Sequence, residues 1–356
     1  SRGTYAGDCL PRYRRIAWCT VGAYPLLARS AAMWGRPTAP GPMTFTHLHV
    51  ASSYSFRYGA STPEDLVALA ADQGMEALAL TDRDGLHGSV KFALACISRG
   101  VTPLLGVDLA VRPTGALDGL PCGRQPARRR SPVRGGAGRD PRLPRVTVLA
   151  LGRDGASGSA PAPGWGRLCR LVTATHLGGE RGKPVADLDL VAEHAVSRGG
   201  GGPALAVLLG PASEVGRAVL ARRSDLALAV LDRWRSALPP GSVAVEVVCH
   251  RGPEQGLAGL WHAARMLSLA RAAGVPAVLT NAVRYATPDG AVTVDVLDAA
   301  RRLVPLDLRH VDRVSAEGSL TSPAYMRRLA GDVATAAGEG GDGADRLLAD
   351  TADLAG

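Results

Sequence analysis

Histidines and carboxylates recur in this sequence where short runs of β-forming residues end. These histidines and carboxylates are His47, His49, Asp82, Asp84, Asp108, Glu246 and His250, and the amide Asn281 ends the last run. In a parallel β/α barrel the carboxyl ends of the strands meet at one face, and such enzymes keep their chemistry there. Imidazole and carboxylate suit Zn, Mn or Fe, and a bound metal can generate hydroxide and neutralise phosphate charge. The pattern is typical of a hydrolytic metal centre.

The elements that must position these residues alternate regularly after Met43. Seven runs predict strands: Phe45–His49, Ala77–Thr81, Pro103–Val111, Val146–Leu151, Ala204–Leu209, Val243–Val248 and Ala277–Asn281. Amphipathic stretches predict helices over Pro63–Gly74, Ser89–Arg99, Trp165–His176, Asp187–Arg198, Ser213–Ala221, Asp225–Leu238 and Glu254–Ala273. Repeated strand–helix alternation predicts an α/β fold with a parallel barrel.

Three segments do not follow this alternation. Residues 1–42 mix Arg, Pro and aromatic residues without a period, and we expect an unstructured leader. Residues 112–145 hold nine arginines among many Gly and Pro, which predicts a disordered insertion. This segment contains no aromatic residue on which a nucleic-acid base could stack. Residues 331–356 are expected to form a flexible tail, in which Ala344–Leu354 is a short helical piece with no core of its own. This leaves 43–330 as the barrel domain.

Composition narrows the class of protein. The 356 residues carry a net charge of +9, but the segments 1–42 and 112–145 supply all of the excess, so a nucleic-acid-binding barrel surface is not indicated. No run of 18 apolar residues is present, which excludes a membrane span and a membrane partner. The six cysteines form no Cys-x-x-Cys pair, which argues against a disulfide framework and a zinc ribbon. A reducing cytoplasm is the expected location.

Five segments resemble the PHP domain and occur in the same order as in that family. This domain forms the N-terminal region of bacterial DNA polymerase III alpha subunits and of error-prone DNA polymerases. The five segments are Phe45–Ser61, Ala77–Phe92, Pro103–Val111, Leu168–His176 and Val278–Pro288. The continuation Arg57–Ser61 favours the error-prone branch. The resemblance implies a distorted seven-stranded, TIM-like β/α barrel with a divalent metal site at its mouth.

The metal-ligand positions implied by this resemblance are only partly retained. Four keep a side chain that can ligate: His49, Asp82, Asp108 and His250. Five do not: Ala51, Arg83, Arg145, Ala282 and Arg284. Arginine cannot ligate, and a fixed cation repels a metal ion. We therefore expect a vestigial metal site with no catalytic residue and no cofactor, unless the four remaining ligands still bind Zn or Mn.

The resemblance supports one main hypothesis for function and leaves others open. The chain is expected to be the N-terminal PHP region of a polymerase III alpha or error-prone polymerase, which serves DNA replication or translesion repair synthesis. Its implied partners are the polymerase core or other replisome and repair subunits, with DNA contacted only indirectly. The alternative is a stand-alone, histidinol-phosphatase-like phosphoesterase that needs a metal. A third possibility is a purely structural or partner-binding barrel.

The replacement of expected metal ligands by arginine leads to a further prediction. Arginines stand where ligands are expected, while Asp82 and Asp108 remain as like charges. A guanidinium can bridge two carboxylates, and it stays charged at every relevant pH. We expect at least one of Arg83, Arg145 and Arg284 to form a salt bridge with Asp82 or Asp108.

Overall fold

The computed structural model describes residues 45–118, 142–152, 163–197, 202–253, 256–307, 311–313 and 315–356. The predicted leader 1–42 and the central part of the predicted insertion, residues 119–141, lie outside the described residues.

The described residues form a mixed α/β fold around one six-stranded sheet, curled into a half-barrel. The strands are β1 (Ala77–Arg83), β2 (Thr102–Ala110), β3 (Arg145–Ala150), β4 (Leu205–Leu209), β5 (Val243–Val248) and β6 (Ala277–Thr280), and they lie in sequence order. β1 pairs in parallel with β2, and β4, β5 and β6 are parallel to one another. β3 runs antiparallel to both β2 and β4.

The expectation of an all-parallel sheet is therefore wrong at β3. Parallel neighbours need a crossover connection, usually a helix, whereas antiparallel neighbours do not. No helix lies between β2 and β3 in the residues that the structure describes, and β3 returns along β2. This reversal brings the first residue of β3 to the end of β2.

The predicted first strand, Phe45–His49, is an extended segment but not a ladder strand among the described residues. The N–H of Ala79 donates to the carbonyl of His47 at 2.9 Å, and the N–H of Val283 donates to that of His49 at 2.9 Å. The segment is thus bonded to β1 on one side and to the chain after β6 on the other. The N–H of Val50 donates to Oγ1 of Thr81 at 2.9 Å rather than to a backbone carbonyl. That side-chain bond interrupts a regular ladder.

Ten helices flank the sheet in the described part of the chain. They are α1 (Pro63–Asp72), α2 (Ser89–Arg99), α3 (Pro163–Leu177), α4 (Leu188–Ala195), α5 (Glu214–Leu220), α6 (Ser224–Ala237), α7 (Leu260–Ala273), α8 (Gly290–Arg302), α9 (Pro323–Ala336) and α10 (Gly343–Ala355). All seven predicted helices are confirmed within a few residues, except that α7 begins later than predicted. Local signals explain their ends: Thr62 caps α1 by accepting from Asp65 N–H, and Gly274 ends α7 in the left-handed region at φ +63°.

Both faces of the sheet are buried. On one face Val207, Leu209 and Val245 pack under the helices in the largest apolar cluster. Alternate residues, among them Leu208 and Ala244, pack on the opposite face with Leu48. Successive side chains of a strand point to opposite faces, so β4 is apolar throughout and β5 is apolar except for Glu246.

The helix α10 overturns the expectation of a flexible tail over 331–356. The predicted boundary falls inside α9, and Leu347 and Thr351 of α10 are buried. The N–H of Leu279 donates to Oγ1 of Thr351 at 2.9 Å, and that of Ala277 donates to Oδ2 of Asp350 at 3.2 Å. α10 thus covers the outer edge of β6, where unpaired N–H groups would otherwise face solvent.

No helix in the described ranges is both long and apolar enough to cross a membrane.

The edge contact predicts an unequal effect of two threonine substitutions. Thr351 and the exposed Thr173 both donate to the carbonyl four residues earlier, at 2.8 Å, but Thr351 also accepts from a strand N–H. Thr351→Ala should lower the free energy of unfolding by about 1–3 kcal/mol, because the N–H of Leu279 is left buried without its partner. Thr173→Ala should change it by less than about 0.5 kcal/mol. Urea unfolding measures both, and equal effects would contradict the edge-covering role of Thr351.

Candidate functional site

The charged residues predicted to form the site meet where β1 and β2 end and β3 begins. The strand register places Arg83 beside Asp108, and Arg145 beside Ala110. Because β3 is antiparallel to β2, the first residue of β3 lies at the same end of the sheet as the last residues of β1 and β2. The sheet topology thus gathers two arginines around one aspartate.

Asp108 is the centre of this cluster. Its Oδ2 accepts from Nε of Arg83 at 3.1 Å and from Nε of Arg145 at 2.9 Å. Only 4% of the residue is exposed to solvent. Burial opposes ionisation of Asp108, but the nearby guanidinium groups of Arg145 and Arg83 outweigh it and hold its pKa below the usual value. Asp108 is therefore a buried carboxylate that two arginines keep charged.

Arg145 joins two carboxylates. Its Nη2 donates to Oδ1 of Asp84 at 2.9 Å, while its Nε donates to Asp108. Burial would lower the pKa of Arg145, but Asp108 and Asp84 raise it instead. The expected bridging by arginine is confirmed, with the difference that the second carboxylate is Asp84 and not Asp82.

Asp82 is satisfied by hydroxyl and amide groups rather than by arginine. Its carboxylate accepts from Ser52 N–H at 2.7 Å, from Ser52 Oγ at 2.9 Å and from Ser55 Oγ at 2.7 Å. Burial raises the pKa of Asp82, because these hydrogen bonds only partly compensate for its desolvation. The Oγ of Ser55 also accepts from the N–H of Arg83, which ties the loop after residue 51 to the end of β1.

His49 is held by a carboxylate on a distant strand. Its Nδ1 lies 2.7 Å from Oε1 of Glu246 and 3.2 Å from Oγ1 of Thr147. Burial alone would lower the pKa of His49, but the charge of Glu246 and its hydrogen bond raise it above the usual value. Glu246 also accepts from Oγ1 of Thr280 at 2.5 Å. Gly210 makes room for it, since a Cβ there would lie 1.9 Å from Oε2 of Glu246.

His250 and Arg284 make contacts away from Asp108. Nε2 of His250 lies 2.7 Å from the carbonyl of Asn281, and burial lowers the pKa of this histidine. Arg284 pairs with Asp298 through two hydrogen bonds, of 2.7 and 3.2 Å. Of the three arginines expected near Asp82 or Asp108, Arg284 is thus the one that pairs elsewhere. Ala282, another of the replaced positions, has a φ of +40°.

The ring of Tyr58 contacts both Arg83, which pairs with Asp108, and Arg284, which pairs with Asp298. The guanidinium carbon of Arg83 lies 3.3 Å from the centre of the Tyr58 ring, and that of Arg284 lies 3.9 Å from it. The carbonyl of Tyr58 also accepts from Nη2 of Arg284 at 3.1 Å. Such cation–π contacts stabilise a partly buried guanidinium. One aromatic ring therefore contacts the cations at two of the five replaced positions.

Sequence reasoning missed several of these partners. Tyr58 lay in the segment Arg57–Ser61 that carried the family resemblance, but nothing in the sequence marked it as a partner of arginine. Asp298 carried no signal, because α8 was not predicted. Asp84 and Glu246 were noted at strand ends, but nothing in the sequence paired them with Arg145 and His49. Only the folded structure brings Arg145 of β3 next to Asp84 and Glu246 of β5 next to His49.

The donor groups do not fit a divalent metal centre. The two arginine Nε–H groups are directed at Oδ2 of Asp108, where a cation would have to approach. Nδ1 of His49 is bonded to Glu246, and Asp82 already accepts from both serines. Among the described residues, no group of three or more His, Cys, Asp or Glu side chains is arranged to hold a metal ion. No reaction step is therefore assigned to a metal here.

Comparisons with known proteins show the family to which this chain is similar. The PHP domain family matches residues 47–250. An error-prone DNA polymerase of Mycobacterium bovis is 40% identical over 162 residues, which are 45% of this chain and 12% of that protein. An error-prone DNA polymerase of Nocardia farcinica is 30% identical over 334 residues, which are 86% of this chain and 27% of that protein. The chain thus spans about an eighth to a quarter of the length of these relatives.

A solved structure of an amidohydrolase from Chromobacterium violaceum covers 68% of this chain and 88% of its own, with 16% identity and a TM-score of 0.35.

A double-mutant cycle can measure the bridge at Asp108. Arg145→Ala should lower the free energy of unfolding by about 3 kcal/mol, because a buried carboxylate loses one of its two cations. In an Asp108→Asn background the same substitution should cost at least about 1 kcal/mol less, since no buried charge remains to be paired. Chemical unfolding gives all four values.

Asp82→Asn is the matched control for this cycle. Asp82 is also a buried carboxylate at the end of β1, but its partners are serines. Arg145→Ala should therefore cost the same in the Asp82→Asn background as in the parent protein, within about 0.5 kcal/mol. A coupling to Asp82 as large as that to Asp108 would contradict the pairing described here.

Proposed function

Because this chain belongs to the PHP domain family, we propose that it forms the N-terminal PHP region of an error-prone DNA polymerase and serves repair synthesis on damaged DNA. The relatives from Mycobacterium bovis and Nocardia farcinica, both error-prone DNA polymerases, support this assignment. As part of such an enzyme the chain would work in the cytoplasm, next to a polymerase core or other repair subunits. DNA synthesis itself would lie outside this region.

Within that enzyme we propose a structural role for this region, with a degenerate metal site. The observation that carries this proposal is the pair of guanidinium groups on Oδ2 of Asp108. Arg83 and Arg145 stand at positions where the family pattern has histidines, and they supply positive charge that a metal would otherwise bring. The site then stabilises the mouth of the half-barrel rather than performing hydrolysis.

The phosphoesterase alternative requires chemistry that these contacts oppose. A metal-bound hydroxide needs a cation with an open coordination position. At an effective dielectric of about 20, a metal cation 4 Å from one guanidinium meets a repulsion of about 4 kcal/mol per unit charge. Two guanidinium groups on one carboxylate oxygen therefore favour the structural role over hydrolysis.

Metal analysis separates the two functions. The purified chain should contain far less than one equivalent of Zn, Mn or Fe. Its melting temperature should not change with added Mn²⁺ or Zn²⁺, whereas a ligand at 100 times its Kd would stabilise the fold by about 2.7 kcal/mol. It should not hydrolyse p-nitrophenyl phosphate. A near-stoichiometric metal content, together with phosphatase activity, would support the phosphoesterase instead.

The assignment to a polymerase has its own test, which does not depend on the metal site. The genomic sequence after the codon for residue 356 should continue in frame into a polymerase palm domain with clustered aspartates. An in-frame stop codon close behind that position would contradict it.

A further inference from the structure

The first residues of β4, β5 and β6 border a cavity of about 190 Å³. These strands are parallel to one another and to β2, so the cavity lies at the end of the sheet opposite to Asp108. Gly241, Pro276 and Asp353 at its border are exposed, so a solute can enter it. In another protein an engineered apolar cavity of about 150 Å³ binds benzene. The cavity here is therefore large enough for a small organic molecule.

Small apolar side chains form the floor of this cavity. Ala206 of β4, Ala244 of β5 and Val278 of β6 are buried, and they belong to the same cluster as Leu354 of α10. The layers inside a β/α barrel are normally filled by bulky, branched residues. Two alanines at this level leave the layer incomplete, which creates room for a short alkyl group.

Two carboxylates of α10 line the same cavity, those of Asp350 and Asp353. Oδ2 of Asp350 accepts from Nη1 of Arg271 at 2.7 Å and from the N–H of Ala277 at 3.2 Å, whereas its Oδ1 accepts from none of the described residues. Arg271 also pairs with Glu339, at 3.1 Å. In the part of the chain that the structure describes, no basic group lies within salt-bridge distance of Asp353. One arginine thus serves three carboxylates, which leaves negative charge at the cavity.

The third polar group of the cavity is the hydroxyl of Ser242, in the turn before β5. Ser242 belongs to the cavity wall and is only 1% exposed. Its backbone is fixed, because its N–H donates to Pro239 and its carbonyl accepts from Val207. Its Oγ has no hydrogen-bond partner among the described residues. An unpartnered buried hydroxyl is costly, and a bound molecule that donates to it would remove that cost.

We propose that this cavity binds a primary alkylammonium ion. The ammonium group lies at Asp350 and Asp353, and the alkyl tail covers the apolar floor. An ammonium group carries three N–H donors. The cavity offers three acceptor groups to match them: Oδ1 of Asp350, the carboxylate of Asp353 and Oγ of Ser242. This inference does not rest on the proposed polymerase function.

Other small cations match the cavity less well. A divalent metal ion prefers several oxygen ligands and bound waters, and it would leave the alanine floor without an apolar partner. A quaternary ammonium ion has no N–H to donate to the Ser242 hydroxyl or to the carboxylates. A primary amine is charged at neutral pH, since its pKa is close to that of lysine. The ligand is thus either a free amine or a lysine side chain of another protein.

Four probes separate the contributions of the alkyl tail, the charge and the N–H donors. In NMR titrations of the labelled protein, n-butylammonium should shift the amide signals of Ser242 and Val278, with a Kd of about 1 mM or below. Ethylammonium, which lacks two methylene groups, should bind about tenfold more weakly. n-Butanol lacks the charge and n-butyltrimethylammonium lacks the donors, so each should bind at least about threefold more weakly.

Protein variants then locate the binding site. Asp353→Asn should weaken binding of n-butylammonium at least about threefold, because it removes one of the two charges. Asp345→Asn is the matched control, since Asp345 is exposed on the same helix but does not line the cavity, and it should leave the Kd unchanged. Ser242→Ala should weaken binding without lowering the melting temperature, because the lost hydroxyl has no partner in the protein. Ala244→Leu should abolish binding, since the larger side chain fills the floor.

Several results would overturn the proposal. They are no shift of these signals at about 20 mM n-butylammonium, equal binding of n-butylammonium and n-butanol, or equal effects of Asp353→Asn and Asp345→Asn. Displacement of the amine by about 1 mM Ca²⁺ would make a metal ion the occupant instead. N-acetyl-lysine N-methylamide identifies the source of the ligand within the proposal. Binding as tight as that of n-butylammonium supports a lysine side chain of another protein, and binding at least about tenfold weaker supports a free amine.

Discussion

The described structure depends on one electrostatic constraint, the burial of the Asp108 carboxylate at the end of β2. A buried carboxylate is costly unless cations and hydrogen bonds compensate for its lost hydration. Here Arg83 of β1 and Arg145 of β3 provide both, and each arginine belongs to a strand that pairs directly with β2. The ion pairs therefore favour the strand order and register that bring their members together. Through Tyr58, the same cluster is joined to Arg284 and the buried Asp298.

A second constraint acts at the two margins of the sheet. β1 and β6 are its outermost strands, and in the part of the chain that the structure describes neither presents a free row of N–H groups. The extended segment 45–51 accepts from β1, and side chains of α10 accept from β6. A strand-like segment covers one margin and a helix covers the other. The N–H groups at both margins thus have hydrogen-bond acceptors within this chain, so the edges of the sheet are not open to pairing with other chains.

The sequence predicted the elements better than their pairing. Helices such as α1 and α2 have strong local signals, namely Thr62 before Pro63 and Gly100 after Arg99, so their bounds were close to those observed. Strand direction has no such local signal, and the reversal of β3 was missed because alternating elements normally imply parallel strands. The pattern of replaced ligands predicted that at least one of Arg83, Arg145 and Arg284 would pair with Asp82 or Asp108, and the pairs of Arg83 and Arg145 with Asp108 confirm it. The partners Tyr58, Asp84 and Asp298 were not predicted, because they depend on contacts between distant parts of the chain. The helix α10 was expected only as a short helical piece in a flexible tail, because its apolar stripe has no core to pack on until the sheet is complete.

The arginine bridge has a consequence for how this protein assembles. A bound ion must be captured from the surroundings, so a domain built around one depends on the supply of that solute and loses it to a chelator. Arg83 and Arg145 are covalent parts of the chain, and they reach Asp108 whenever the first three strands pair. The cations at this end of the sheet are therefore encoded in the chain itself, and they are in place as soon as the first three strands pair.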